Sequence, residues 1–178
     1  IMPQEDWDKI VHYYINKSEN SIPKYGIQIQ EQISFFEPHI FSIDSLPLIT
    51  MTSFNEESGK LFLGNAKDST LLTVNSDGVI LDSEEFSSPP VKVVSKDSLD
   101  YILTIGVLNP SDEAKGKLKI GKNTIEDLIR PVDFLISDVN LDGYDDVFVC
   151  NYGNNVGDFS WYENIRNGSY QKRIIQPL

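Results

Sequence analysis

The sequence predicts an all-β fold of about three four-stranded units, preceded by one amphipathic α-helix. Three observations lead to this prediction. The spacing of apolar residues changes from a helical period to a period of two near Gly26, four prolines recur at nearly regular intervals, and turn-forming residues separate the short apolar runs between them. Hydrophobic residues make up 40% of the 178 residues and aromatic residues 11%, which is enough to form a sizeable core.

Residues 1–22 are predicted to form the helix. A proline near its start and several acidic residues in its first turn suit a helix N-terminus. Residues 23–45 are predicted to be a linker with a strand pattern, because alternate residues of GIQIQEQISF are apolar. The apolar face of the helix is formed by residues at i, i+3, i+4 and i+7, which are Trp7, Ile10, Val11 and Tyr14.

A proline followed by an apolar residue opens each predicted unit. These prolines stand at positions 47, 90, 131 and 177, so they are separated by 43, 41 and 46 residues. Each interval holds about four short strand patterns, and such a unit is typical of one blade of a β-propeller. The alternative is a β-sandwich in which the prolines recur by coincidence. We therefore predict a partial β-propeller over residues 46–178, with blades at 46–88, 89–129 and 130–176 and a further blade starting at 177.

The chain is expected to be part of a longer or processed protein. It begins without an initiator Met and without a signal peptide, and three blades do not close a ring that usually needs about four to eight. The net charge of −12 argues against nucleic acid as a partner and suits a cation site. No apolar run is long enough to predict a membrane span. The single cysteine, Cys150, is expected to be a small buried residue in the run VFVC.

The nine residues DVNLDGYDD, at positions 138–146, have the pattern of a calcium-binding loop. Gly143 at the sixth position allows a sharp turn, and Ca²⁺ takes six to eight hard oxygen ligands. An EF-hand would place Glu at the twelfth position, but Val149 stands there within an apolar run, so the loop is predicted to join two strands. The alternatives are a hairpin turn without metal, or Mg²⁺. The predicted ligands are Asp138, Asn140, Asp142, Tyr144 (through its backbone carbonyl) and Asp146.

The unit RPVDFLISDVNLDGYDDVFVCNYGNNVGDFSWYEN resembles a repeat of the FG-GAP/VCBS family of integrin-like β-propellers. The resemblance implies that the loop lies between the first two strands of a blade and that the same five residues bind calcium. The corresponding segments of the first two units, SFNEESGKLFLG and SKDSLDYILTIG, lack this ligand set. We expect no metal in those two units.

The stretch MPQEDWDKIVHYYI resembles the end of a class I c-type cytochrome domain. This resemblance implies that residues 1–22 are the C-terminal helix of a truncated cytochrome domain, with Met2 as the axial haem ligand. The haem attachment motif C-x-x-C-H is absent, so haem c is expected only in a longer parent protein. The alternative is a helix that caps the propeller, which explains the same residues.

No catalytic residues are predicted. The two histidines, His12 and His39, lack neighbours that would make a nucleophile or zinc site, and packing or surface roles are expected. The segment GNNVG, at positions 153–157, is expected to be the turn between the second and third strands of its blade. Trp161 and Tyr162 should point to opposite faces of a strand, with one of them in the core.

These patterns favour a non-catalytic binding or scaffolding module with a structural calcium ion. The module is expected in a larger secreted, periplasmic or cell-surface bacterial protein, accompanied by a cytochrome c electron-transfer domain. Its partner would be a protein or a glycan that the sequence does not specify. The alternatives are part of a propeller enzyme, either a quinone-dependent dehydrogenase or a polysaccharide-active protein, and an adhesion or glycan-recognition module.

Overall fold

The structure is a computed structural model that describes residues 49–177. Within this range the chain is all-β, with twelve strands in three four-stranded antiparallel sheets and no helix. The prediction of an all-β chain built of four-stranded units is therefore confirmed for this part of the chain. Nothing between residues 49 and 177 forms a helix able to cross a membrane. The predicted helix over residues 1–22, the linker over residues 23–45, Met2, His12 and His39 lie outside the described residues.

Each sheet is a meander in which every strand pairs with the next one along the chain. The first sheet contains β1 (Ile49–Asn55), β2 (Lys60–Asn65), β3 (Thr70–Val74) and β4 (Ile80–Glu85). The second contains β5 (Pro90–Lys96), β6 (Leu99–Thr104), β7 (Ala114–Ile120) and β8 (Asn123–Ile129). The third contains β9 (Pro131–Ser137), β10 (Asp146–Asn151), β11 (Asp158–Asn164) and β12 (Tyr170–Pro177).

The first strands of successive sheets are neighbours. β1 lies beside β5, and β5 lies beside β9, which also contacts β6. Pro90 opens β5 and Pro131 opens β9, and both prolines are fully buried. Since a proline lacks an N–H, the first position of a strand is where it disturbs a sheet least. Two of the recurring prolines thus mark the points at which one sheet meets the sheet before it.

Two glycines of the preceding sheets allow these prolines to approach closely. A β-carbon added at Gly64 in β2 would lie 2.8 Å from the carbonyl oxygen of Pro90. A β-carbon added at Gly116 in β7 would lie 2.3 Å from Cδ of Pro131 and 3.0 Å from the carbonyl oxygen of Leu128. Only glycine leaves enough room for contacts of this kind.

Apolar side chains fill the space between the sheets. Ser53 also bridges the first two sheets, because its hydroxyl donates to the carbonyl of Val93 at 2.8 Å. The core between the first and second sheets consists of Met51, Phe62, Leu71, Val93 and Ile102. The larger core between the second and third sheets consists of Tyr101, Leu103, Leu118, Ile120, Ile125, Leu128, Phe134, Val147, Val149 and Tyr162.

The alternation of side chains along β10 corrects one prediction. Val147 and Val149 are fully buried in the core, so Phe148 and Cys150 point to the other face of the sheet. The prediction of a buried Cys150 is wrong because the apolar run VFVC supplies both faces of the strand, and the thiol is exposed. On the neighbouring strand β11, Tyr162 lies in the core and Trp161 lies on the opposite face, so the prediction that one of the two residues is in the core is confirmed. The guanidinium of Arg173 lies over the Trp161 ring, 5.4 Å from its centroid.

Replacing Gly116 by Ala tests the close contact with Pro131. Ala restricts the unfolded chain and would stabilise the protein at a position with room for it. Here the added carbon overlaps the proline ring, and we expect the free energy of unfolding to fall by about 1–3 kcal/mol. Urea denaturation measures the change. The adjacent Lys115→Ala is the control, because its side chain is 65% exposed, and it should alter stability by less than about 0.5 kcal/mol. Equal stabilities for the two variants would contradict the steric argument.

Candidate functional site

The predicted metal loop connects β9 to β10 and comprises residues 138–145, with Asp146 as the first residue of β10. Gly143 adopts a φ of 86°, and a β-carbon there would meet nothing within 4 Å. The equivalent connections in the other two sheets are short, at residues 56–59 and 97–98. The third sheet alone among the described sheets therefore has a long loop at this place.

Side-chain oxygens within the loop accept hydrogen bonds from its own backbone. The N–H of Gly143 donates to Asp138 Oδ2 at 2.9 Å, and the N–H of Asp142 donates to Asp138 Oδ1 at 3.1 Å. The N–H of Asp142 also reaches Asn140 Oδ1 at 3.1 Å, and the N–H of Tyr144 donates to Asp142 Oδ1 at 3.0 Å. Asp and Asn form such local turns readily because their short side chains reach the backbone two residues ahead.

Asp146 ties the loop to the rest of the sheet and has no exposed surface. Its Oδ1 accepts from the N–H of Asn164 in β11 at 2.8 Å, and its Oδ2 accepts from the N–H of Val139 at 3.3 Å. The side-chain amide of Asn164 donates in turn to the carbonyl of Asp145 at 3.2 Å. Asp146 thus fixes both ends of the loop against β11.

The structure places all five predicted ligand residues in this one loop or at its end. Their carboxylates do not converge, however, and the described residues include no cluster of three or more His, Cys, Asp or Glu side chains arranged for a metal. The donor types still suit a hard cation. Each carboxylate oxygen has two lone pairs, and the hydrogen bonds to Asp138 and Asp146 occupy only one on each oxygen.

A cleft of about 390 Å³ lies beside the loop, between the second and third sheets. Its lining comes from four connections or strand ends: the β5–β6 turn, the β7–β8 turn, the β9–β10 loop and the β11–β12 turn. Tyr101 and Ile120 in the lining are buried, whereas Tyr144 is 42% exposed. Burial, together with the nearby Tyr101, Asp145 and Asp146, raises the pKa of Tyr170 to about 12, so its hydroxyl stays protonated.

A second polar cluster lies in the third sheet, centred on Asp158, whose residue is only 9% exposed. Its Oδ1 accepts from the Asn151 amide at 2.6 Å and from the Ser160 hydroxyl at 2.8 Å, and its Oδ2 accepts from Lys172 Nζ at 2.7 Å. Burial opposes ionisation of Asp158, but these three hydrogen bonds outweigh it and hold its pKa below the ordinary value of 3.8.

The segment GNNVG joins β10 to β11, as the sequence predicts for a turn at this place. Asp112 holds it from the β6–β7 connection, because its carboxylate accepts from the N–H of Asn155 at 2.7 Å and from the side-chain amide at 2.9 Å. These hydrogen bonds from Asn155 lower the pKa of Asp112. The segment therefore serves as an anchored turn in this sheet.

The sequence analysis missed both the cleft and the Asp158 cluster. A signal for the cluster exists, because Asn151, Asp158 and Ser160 occupy core-facing positions of β10 and β11, where the period-two pattern otherwise places apolar residues. No such signal exists for the cleft, whose lining is drawn from residues 97–170 and meets only when the sheets pack.

Comparison of the chain with protein-family models, with curated proteins and with solved structures gave no match.

The hydrogen bonds to Asp158 predict a specific dependence of stability on pH. Because its folded-state pKa is lowered, Asp158 stabilises the protein above its unfolded pKa, and this contribution is lost as the pH falls through the folded pKa. Asp158→Asn should reduce the difference in unfolding free energy between pH 7 and pH 3, measured by urea denaturation. Asp82→Asn, an exposed position on β4, should leave that difference unchanged. A wild-type pH dependence in Asp158→Asn would contradict the assignment.

Proposed function

We propose that this chain is part of a calcium-braced β-propeller of the FG-GAP/VCBS type, acting as a non-catalytic binding or scaffolding module. The observation that carries the proposal is the loop at residues 138–146. It brings Asp138, Asn140 and Asp142 onto one tight turn and ends at the fully buried Asp146. A buried carboxylate is costly unless hydrogen bonds or a cation compensate its charge, and the same loop carries two further carboxylates, Asp138 and Asp142.

The repeated packing of the sheets supports the propeller architecture. Each described sheet is a four-stranded meander, and the first strands of the second and third sheets each lie beside the first strand of the sheet before. The outward face of the third sheet carries an exposed apolar group, since Leu135 is 64% exposed and Phe148 stacks on the 38%-exposed Phe159 with ring centroids 5.6 Å apart. A further sheet packed there in the same relation would cover this face, as β-propellers require.

In the proposed role, calcium binds the side chains of Asp138, Asn140, Asp142 and Asp146 and the backbone carbonyl of Tyr144. The ion supplies positive charge that offsets repulsion among the three carboxylates. The chain's own residues supply the scaffold: Asp138 closes the turn through the N–H groups of Asp142 and Gly143, and Asp146 fixes the loop to β11. The net charge of the whole chain is −12, and this excess of acidic residues also favours the binding of a cation.

Location in a secreted, periplasmic or cell-surface protein is proposed together with this role, because calcium-rich fluids saturate sites with dissociation constants of about 10⁻⁴–10⁻³ M. The association with a cytochrome c domain is proposed from the resemblance of residues 1–22 alone. Mass spectrometry and haem absorbance of the parent protein test that association.

Calcium binding is tested by calorimetry of the 178-residue chain with calcium and with chelator. An ion present at 100 times its dissociation constant should raise the free energy of unfolding by about 2.7 kcal/mol. Asp142→Ala should remove most of this gain, because it deletes a charged ligand at the centre of the loop. Magnesium at the same concentration should give a smaller gain, since it retains its waters more strongly.

Asp77→Ala is a matched control for this experiment. Asp77 also precedes a glycine of positive φ, Gly78 at 80°, in a turn closed by an Asn side chain: Asn75 Oδ1 accepts from the N–H groups of Asp77 and Val79 at 3.0 and 2.9 Å. That turn lacks the other ligands, so Asp77→Ala should keep the full calcium response. An unchanged melting temperature of the wild type, with no calcium found by elemental analysis, would refute the calcium site.

A further inference from the structure

The cleft between the second and third sheets has the size and position of a binding site. Its volume of about 390 Å³ falls within the roughly 300–1,000 Å³ of small-ligand sites. Connections from two sheets form its walls, and one wall is the β9–β10 loop through Gly143, Tyr144 and Asp145. The cleft therefore adjoins the proposed calcium loop but is a separate space.

Charges of both signs surround the cleft. Asp97 and Asp145 lie on its wall together with Lys122 and Arg166, and Lys96 pairs with Asp145 at 2.5 Å. Neither sign dominates, whereas a site for phosphate or nucleic acid would need an excess of cations. This balance favours an uncharged ligand.

Aromatic rings and uncharged hydroxyl groups also line the cleft, and they indicate which kind of neutral ligand it would bind. Tyr101, Tyr144 and Tyr170 line the cleft, and the ring of Tyr144 is held by Arg166 at 5.0 Å while remaining 42% exposed. A tyrosine ring offers an apolar face beside a hydroxyl that donates and accepts hydrogen bonds. Saccharides present the matching combination of C–H faces and hydroxyl groups.

Side chains that are free to form hydrogen bonds with a ligand also line the cleft. The side chains of Lys122, Asn123 and Asn167 line the cleft and make no hydrogen bond within the described part of the chain. A side-chain amide both donates and accepts, as a sugar hydroxyl does, so each amide can bond a hydroxyl in either sense. An anion or a metal would use only one of these two capacities.

We propose that this cleft binds a neutral saccharide, with Tyr144 contacting its apolar face and Asn123 and Asn167 bonding its hydroxyl groups. The inference rests on the proposed role of the chain as a binding module, and not on the calcium ion itself. It names the class of ligand for that module and the surface that receives it.

Titration of the 178-residue chain with neutral sugars tests the site. Glucose, galactose, mannose, cellobiose and lactose are added separately, and binding is followed by saturation-transfer NMR and calorimetry. At least one should bind saturably, with a dissociation constant in the millimolar range or lower. Asn123→Ala should weaken that binding about tenfold, because the variant removes the side-chain amide that bonds a sugar hydroxyl. A tenfold loss of affinity corresponds to about 1.4 kcal/mol of binding free energy. Asn109→Ala, an exposed asparagine outside the cleft, should bind as the wild type does.

A second pair of variants tests the aromatic contact. Tyr144→Ala should abolish measurable binding, whereas Tyr152→Ala should not. The two tyrosines are well matched, since Tyr152 is also exposed and also has an arginine, Arg130, over its ring at 5.5 Å, but it lies outside the cleft. Saturable binding that survives in both Asn123→Ala and Tyr144→Ala would overturn the assignment to this cleft. Binding of glucuronate or inorganic phosphate, with none of the neutral sugars, would overturn the ligand class.

The calcium and sugar titrations separate the two proposals. Sugar binding in a chain that gives no calcium response overturns the calcium site and supports the saccharide site. A calcium response without binding of any tested sugar overturns the saccharide site and supports the calcium site. Asn123 is not among the proposed calcium ligands, so Asn123→Ala should retain the calcium-dependent rise in melting temperature.

Discussion

The contact between a buried proline and a glycine of the preceding sheet is the constraint on which the rest of the described structure depends. Pro131 packs against Gly116, and Pro90 packs against Gly64, each within a distance that leaves no room for another side chain. These contacts set how closely the first strand of one sheet approaches the sheet before it. The apolar residues between the sheets can fill their core at native density only at that separation.

The packing of the third sheet against the second also positions the residues of both candidate sites. Because β9 is fixed against β5 and β6, the loop after β9 lies next to the turn after β5. The pair of Lys96 and Asp145 joins those two connections, and Lys92 reaches from β5 to the carbonyl of Phe134 in β9 at 2.8 Å. Exposed ion pairs contribute little to stability. Here they orient two connections whose facing sides form the cleft.

Much of the fold could be predicted from local sequence, because local physics determines it. The prolines, the turn residues and the period-two runs indicate the four-stranded units, and Gly143 indicates the sharp turn of the loop, where it adopts a φ of 86°. The features that could not be predicted depend on how the strands and sheets pack against one another. The sequence does not predict the exposure of Cys150, because an unbroken apolar run does not reveal which residues face the core. The cleft draws on residues as distant as Asp97 and Tyr170, whose proximity follows only from the packing of two sheets.

Asp146 connects the two proposed sites physically. Its Oδ1 accepts a hydrogen bond from the N–H of Asn164, and the side-chain amide of Asn164 donates to the carbonyl of Asp145. Asn164 and Asp145 both line the cleft, whereas Asp146 belongs to the proposed calcium ligands. A cation at the loop would therefore act on the cleft through two hydrogen bonds and a fully buried carboxylate, without touching the ligand. Such a short chain of partly buried hydrogen bonds has little freedom to absorb a change at one end, so a cation bound at the loop would fix the wall of the cleft.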